Sequence, residues 1–257
     1  MKSAICAIGV LPVRNEPSEK SELETQILFG EVFHILDETD EWYQVRADYD
    51  SYEGWVDKKM VYPCSKREAE LWLEAPGVIV NTPYLKLIRE PQKTIQIVSA
   101  GSRIVFNGED RNSFVIAGRE YYLQNQINDK KNDITDIAKG FLNTPYLWGG
   151  RNFFGIDCSG YVQVVYKIMG VKLPRNASQQ IEHGTIVSFV EEAKVGDLAF
   201  FDNDEGVITH VGICLGNGEI IHASGEVKID LLDHLGIFDN KIKKYTHKLR
   251  VIKRVVL

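Results

Sequence analysis

The stretch Gly155-Ile156-Asp157-Cys158-Ser159-Gly160 puts one cysteine at the mouth of a helix. Tyr161, Val164, Val165, Ile168 and Met169 follow at helical spacing and make one apolar face, with Asp157 just before the cysteine and Gly170 as the expected C-cap. Unpaired backbone N–H groups at a helix start favour thiolate over thiol, a common way to lower a cysteine pKa. Gly149-Gly150 and Gly155 let a substrate come close. A thiolate nucleophile also needs a histidine to carry its proton.

Six histidines are present, and two lie inside strand patterns: His210 in Ile208-Thr209-His210-Val211-Gly212 and His222 in Ile220-Ile221-His222-Ala223-Ser224. A three-residue loop at Gly216-Asn217-Gly218 sets Leu215 against Glu219 and Gly212 against His222. His210 and His222 then share a face as diagonal neighbours. A two-residue turn at Asn217-Gly218 puts them on opposite faces. In the first register His222 orients His210, whose other nitrogen reaches Cys158, giving a Cys-His-His relay. His34, His183, His234 and His247 read by default as structural. Cys6, Cys64 and Cys214 read as packing residues, although Cys214 shares a strand face with His210.

Working outward, the polar linker at 128–131 leads to Asp133, a fitting N-cap for a helix whose face is Ile134, Ile137, Ala138, Phe141 and Leu142. Beyond Gly196-Asp197 the period turns to strands at 198–201, 208–215, 219–223 and 250–256. Helices followed by an antiparallel sheet make an α+β plan. The N-terminal half reads differently. Short apolar runs at 5–13, 26–29, 32–36, 42–45 and 54–56, divided by turn signals, describe a small barrel. A second set at 78–80, 94–98, 103–106, 114–117 and 121–123 repeats the habit, with a connecting helix at 66–73 between the two. The internal likeness is thin, Arg14-Asn15-Glu16-Pro17 against Arg89-Glu90-Pro91, and suggests tandem copies. The expected domains are 1–63, 64–127 and 128–257.

Composition bounds what such a chain does. At 257 residues, 44% hydrophobic and 26% charged, it is globular, with room for more than one core. A net charge of −6 offers no general attraction to nucleic acid or anionic lipid. Four cysteines without a CxxC pair read as thiols, not disulfides. The apolar start is broken by Gly9 and Pro12 and lacks a cleavage site, so a strand is expected there instead of a signal peptide. No window approaches the roughly 18 apolar residues of a membrane span. A cytoplasmic location follows as an expectation, with no membrane and no obligate protein partner. Zinc is not expected: there is no HExxH, no CxxC and no third ligand at a customary spacing.

Asp157-Cys158-Ser159-Gly160 opening a helix, His210-Val211-Gly212 on a strand and His222 beyond it resemble the NlpC/p60 superfamily of papain-like cell-wall peptidases. Tyr146-Leu147-Trp148-Gly149-Gly150, Leu173-Pro174-Arg175 and Val195-Gly196-Asp197-Leu198 agree in order, so the resemblance covers about residues 128–255. The first 126 residues are similar to bacterial SH3-type domains, notably at residues 14–18, Gly30-Glu31 and Tyr52-Glu53-Gly54-Trp55. The resemblance implies two SH3-like β-barrels followed by an α+β papain-like catalytic domain. It implies that Cys158 attacks an amide carbonyl, that His210 is base then acid, and that His222 orients His210. Tyr146 would stand at the oxyanion position with the Cys158 N–H. No metal or organic cofactor is implied.

Two SH3-type domains before the peptidase resemble the cytoplasmic dipeptidyl peptidase VI type of γ-D-glutamyl-L-diamino acid endopeptidase. Such enzymes cut recycled murein peptides bearing a free N-terminal L-Ala, by way of a thioester acyl-enzyme. In them the first barrel caps the cleft and helps to recognise the amine with an acid and a tyrosine. Asp157 is one candidate anion, and Glu31 and Tyr52 are the first barrel's candidates. Ser159 and Trp148 would line the γ-D-Glu subsite. Two rivals stand beside this reading: a broader peptidoglycan amidase or transpeptidase, and a peptidoglycan-binding protein without catalysis.

Overall fold

The structure, a computed structural model, describes residues 2–109, 111–125, 127 and 133–256. It divides into two compact units, Met1–Lys130 with Trp148–Phe153, and Lys131–Leu147 with Phe154–Leu257. The polar linker expected at 128–131 lies outside the described residues. No helix among the described residues is long and apolar enough to cross a membrane.

In the first unit the expected run over 5–13 is two strands, Lys2–Ile5 and Val10–Arg14. Gly9, in the bend between them, packs against backbone: a Cβ there would come within 2.6 Å of the Ile97 oxygen. These two join five more among the described residues in an antiparallel sheet in the order Leu23–Leu28, Val10–Arg14, Glu53–Asp57, Trp42–Ala47, Val32–Glu38, Lys2–Ile5, Pro63–Cys64. Leu11, Val13, Ile27, Phe33, Val45 and Val56 fill the interior. The connecting helix spans Lys66–Glu74 and begins with a capping box in which Ser65 and Glu68 satisfy each other's backbone N–H.

The second set of strands forms a sheet in the order Thr94–Ser99, Tyr84–Arg89, Arg119–Leu123, Ser113–Ile116, with a separate pair Arg103–Ile104 and Val78–Ile79. Strand for strand this is the order of the first barrel, with one link in the sheet opened. Duplication is therefore plainer in topology than in sequence. Tyr84–Arg89 was not expected, because Lys86 and Arg89 dilute its apolar alternation. The second core is shared: Phe29 and Val32 of the first barrel join Trp72, Leu87, Phe114 and Tyr121. Trp72 closes the join by donating its ring N–H to the Gly30 carbonyl, 2.8 Å away.

Glu31 does not serve as the exposed anion expected of it. It is 6% exposed, and its carboxylate accepts from both terminal nitrogens of Arg151, at 3.0 and 3.1 Å, and from the Leu28 N–H at 2.7 Å. Gly30 before it takes a positive φ and brings the chain so close to Arg103 that no side chain would fit. The turn that looked like a ligand loop is thus a structural one. Arg151 also donates to the Gln26 carbonyl at 2.6 Å, anchoring Trp148–Phe153 within this unit.

In the second unit, the helix capped by Asp133 runs over Ile134–Lys139. Gly140 ends it, so Phe141 and Leu142 fall in the following turn, where Phe141 is still buried. The helix Cys158–Ile168 packs on strands Ile208–Gly216 and Glu219–Ser224. The sheet order is Thr185–Val187, Lys244–Arg254, Leu198–Asp202, Ile208–Gly216, Glu219–Ser224, Glu226–Leu232, Gly236–Asp239, and Gly236–Asp239 pairs back onto Lys244–Arg254. The antiparallel sheet expected is present, and this closure leaves it fewer edges. Thr185–Val187, Glu226–Leu232 and Gly236–Asp239 were missed, and the last long strand starts earlier than expected. Cys214 packs inside this sheet with Phe201, Ile220 and Ile237, which assigns it to the core.

Truncating one partner of the Glu31–Arg151 pair strands a buried charge. Glu31→Ala should cost about 3–5 kcal/mol, read as a lowered denaturant midpoint by tryptophan fluorescence. An unchanged midpoint would show that the pair is not needed for the fold.

Candidate active site

The hairpin that carries both histidines turns through two residues, Asn217 and Gly218, each at positive φ, so that Gly216 faces Glu219. By itself that turn would set His210 and His222 on opposite faces. Leu215 bulges out, and beyond it Cys214 pairs with Ile220 and Ile213 with Ile221, which is the register expected from a three-residue loop. His210 Nε2 and His222 Nδ1 lie 2.8 Å apart. Both rings are buried, His222 completely.

The relay extends past the residues expected. His222 Nε2 sits 3.1 Å from Asp230 Oδ2. Lys228 Nζ lies 3.0 Å from that same oxygen and 2.6 Å from Asp239. Burial works against charge on Asp230, but the hydrogen bond to His222 and the Lys228 ammonium outweigh it and hold the carboxyl below its ordinary value. His247 stacks on His210 with centroids 4.1 Å apart and planes at 25°. Burial, followed by His222 and Lys228, brings His247 down to about 4, so it packs as a neutral ring. Asp230 and His247 were missed because each lies on a stretch of strand that the sequence did not reveal. Asp230 pairs with Ile220, two residues from His222 and on the same face.

Cys158 opens its helix as expected, behind Asp157 as N-cap. The sulfur receives a hydrogen bond from the backbone of Val211, the residue after His210. The expected lowering of its pKa does not appear. Burial pushes the thiol up to about 12, reinforced by Asp157, while Val211, Arg175 and the Ser159 backbone act the other way. His210 moves well below the ordinary imidazole value, first through burial and then through His247, His222 and Lys228. Burial therefore opposes charge on both the thiol and the imidazole.

Asp157 is not a lone anion. Arg175 grips both its oxygens, at 3.0 and 2.5 Å, and the Gly160 N–H donates to it at 2.7 Å. Ser159 Oγ accepts from Arg175 at 2.9 Å and is buried in the same network. Both residues hold the start of the helix. Arg175, quoted from sequence only as part of a motif, is the buried counter-ion that makes this possible. Tyr146 is half-buried, and burial, then Cys158 and Asp157, pushes its phenol up to about 12, so it stays a hydrogen-bond donor beside the thiol.

The remaining expected residues lie in the first unit. Trp148 is 62% exposed and donates to Glu22 at 2.6 Å. Gly149 after it has positive φ and approaches the Leu23 carbonyl closely enough to exclude any side chain. Tyr52 donates its hydroxyl to Glu24 at 2.5 Å. The acid beside Tyr52 is therefore Glu24 and not Glu31. Glu24 carries no local motif, and only strand pairing brings it to Tyr52. No group of three or more His, Cys, Asp or Glu among the described residues is arranged to hold a metal ion.

The NlpC/P60 family profile matches residues 143–247, and that of the bacterial dipeptidyl-peptidase Sh3 domain matches residues 13–60. A Bacillus cereus protein named gamma-D-glutamyl-L-lysine dipeptidyl-peptidase is 30% identical over 230 residues, 79% of this chain and 68% of that protein. Its Bacillus subtilis namesake is 30% identical over 220 residues, 78% of this chain and 72% of that protein. The crystal structure of an NlpC/P60 family protein from Bacillus cereus matches the fold with a TM-score of 0.82 at 23% identity, over 98% of this chain and 99% of that one. A thiol at a helix start, a histidine pair on the adjoining sheet and relatives alike over most of their length lead to one assignment: the chain belongs to the NlpC/P60 family of cysteine peptidases.

Proposed function

We propose that the chain hydrolyses the bond between γ-D-glutamate and the diamino acid of short murein peptides that carry a free N-terminal L-alanine. One observation carries the reading: the residue bonded to His222 at 2.8 Å immediately precedes the residue whose backbone touches the Cys158 sulfur. The names of the Bacillus relatives support the substrate class.

Cys158 gives its proton to His210 as the sulfur attacks the amide carbonyl carbon. The C–N bond breaks, the leaving amine takes the proton from His210, and a thioester remains on Cys158. Water, deprotonated by His210, then releases the acid and restores the thiol. The Tyr146 phenol and the Cys158 N–H, free of any intrahelical partner at the helix start, stabilise the oxyanion. Ser159 and Asp157 keep the nucleophile's turn in place through Arg175. Within the first barrel, the acid and tyrosine pair that fits an ammonium ion is Glu24 with Tyr52. A cytoplasmic role in recycling wall peptides belongs to the same proposal.

Two measurements test it. Free L-Ala-γ-D-Glu-diamino acid tripeptide should be cut to dipeptide and diamino acid, detected by mass spectrometry, while the N-acetylated peptide stays whole and Cys158→Ala is inert. Equal cleavage of both peptides would remove the free-amine requirement, and cleavage of neither would leave binding without catalysis.

The pH dependence follows from the resting protonation states. His210 must be neutral to accept a proton, and its folded pKa is depressed, so kcat/KM should hold steady as pH falls through the ordinary imidazole value of about 6.5 and drop only below it. Toward high pH it should decline near about 8 as the substrate's α-amino group loses its charge, not through the enzyme thiol. An acid limb at the ordinary imidazole value would instead indicate a resting thiolate–imidazolium pair.

A further inference from the structure

The geometry points to Asp230 as a positioning residue whose carboxylate sets the tautomers of His222 and His210, so that the nitrogen left bare on His210 is the one that receives the Cys158 proton. The inference rests on the catalytic reading of Cys158 and His210.

A neutral imidazole carries one N–H, and an ionised carboxylate only accepts. His222 Nε2, 3.1 Å from Asp230 Oδ2, must therefore hold the proton of that ring. Its Nδ1 is then a bare acceptor, 2.8 Å from His210 Nε2, so His210 is protonated there. What remains on His210 is Nδ1 with its lone pair. The two rings meet edge to face, at 84° with centroids 5.0 Å apart. His247, stacked on His210, fixes the plane of that ring, and its own Nδ1 is occupied by Thr246 Oγ1 at 2.9 Å.

Three groups face the Asp230 carboxylate: His222, Lys228 and, through Lys228, Asp239. The lysine is shared between two carboxylates and keeps Asp230 ionised, hence an acceptor. When Cys158 reacts, its S–H bond breaks, its electron pair goes to the new S–C bond and its proton forms N–H at His210 Nδ1. No proton needs to pass to Asp230. The positive charge on His210 is met through His222 by a carboxylate already in place.

Removing that carboxylate releases the chain. His222 Nε2 and Lys228 Nζ both meet Oδ2, so the oxygen of an amide would take its place, whereas a leucine leaves no acceptor. In Asp230→Leu the His222 proton is free to move to Nδ1, which leaves His210 Nε2 as acceptor and places the His210 proton on Nδ1, facing the thiol. The base is then lost in the molecules so protonated, as with the wrong tautomer in the Ser-His-Asp triad.

The test combines kinetics with a direct reading of tautomers in the full chain. Asp230→Leu should keep its KM for the free tripeptide while kcat falls by about 10²-fold. Side-chain ¹⁵N spectra of the wild type should show His222 protonated at Nε2 and His210 at Nε2, and those of Asp230→Leu a population protonated at Nδ1 on both rings. A kcat within threefold of wild type would overturn the inference, as would a wild-type spectrum with His222 protonated at Nδ1, which needs no variant to fold. A wild type inert on the tripeptide would sink the proposed function, and the spectra would still decide the tautomers.

Discussion

Side chains on a strand alternate between two faces, so a one-residue shift in pairing moves a whole set of groups from one face to the other. The hairpin after His210 turns through Asn217 and Gly218 and then spends one residue, Leu215, in a bulge. That single bulge brings His210 and His222 to the same face. Phe201 and His247 meet the His210 ring while Asp230 and Lys228 meet the His222 strand, and the bulge is what joins the two sets through the bond between the rings. Remove the bulge and the hydrogen bond between the two rings has no geometry in which to form.

Around this register the protein places charge sparingly. Of the buried carboxylates among the described residues, Glu31, Asp157 and Asp230 each have a cation at hydrogen-bond distance: Arg151, Arg175 and Lys228. Burying a carboxylate without such a partner costs several kcal/mol. Burial penalises charge on the reacting groups themselves, pushing the thiol up and His210 down. Charge that develops during attack meets Asp230 and the donors beside Cys158 already oriented toward it.

The N-terminal unit shows the opposite balance between sequence and topology. Its two sets of strands share hardly more than a short Arg-Glu-Pro likeness, yet they follow the same strand order. Strand order depends on where turns and apolar runs fall, and many residues satisfy that pattern. Exposed side chains are freer still to differ. This is why the pairing of Tyr52 with Glu24 could not be transferred from a motif, whereas the barrel could.

Cys158, His210 and His222 were legible from sequence because local signals mark them: an N-cap and apolar helical period behind the cysteine, and alternating strands around each histidine. The same signals revealed the helix starts at Asp133 and Asp157 and most strands of both barrels. Asp230, His247, Arg175 and Glu24 were not legible as partners, and Glu31 was misread, since a charged residue looks the same in sequence whether it faces water or a buried guanidinium. Local spacing determined which residues stand at a helix start or on a strand face. Tertiary structure alone decided which of them meet, because contacts between distant segments depend on register and sheet closure, and a single bulged residue resets the register.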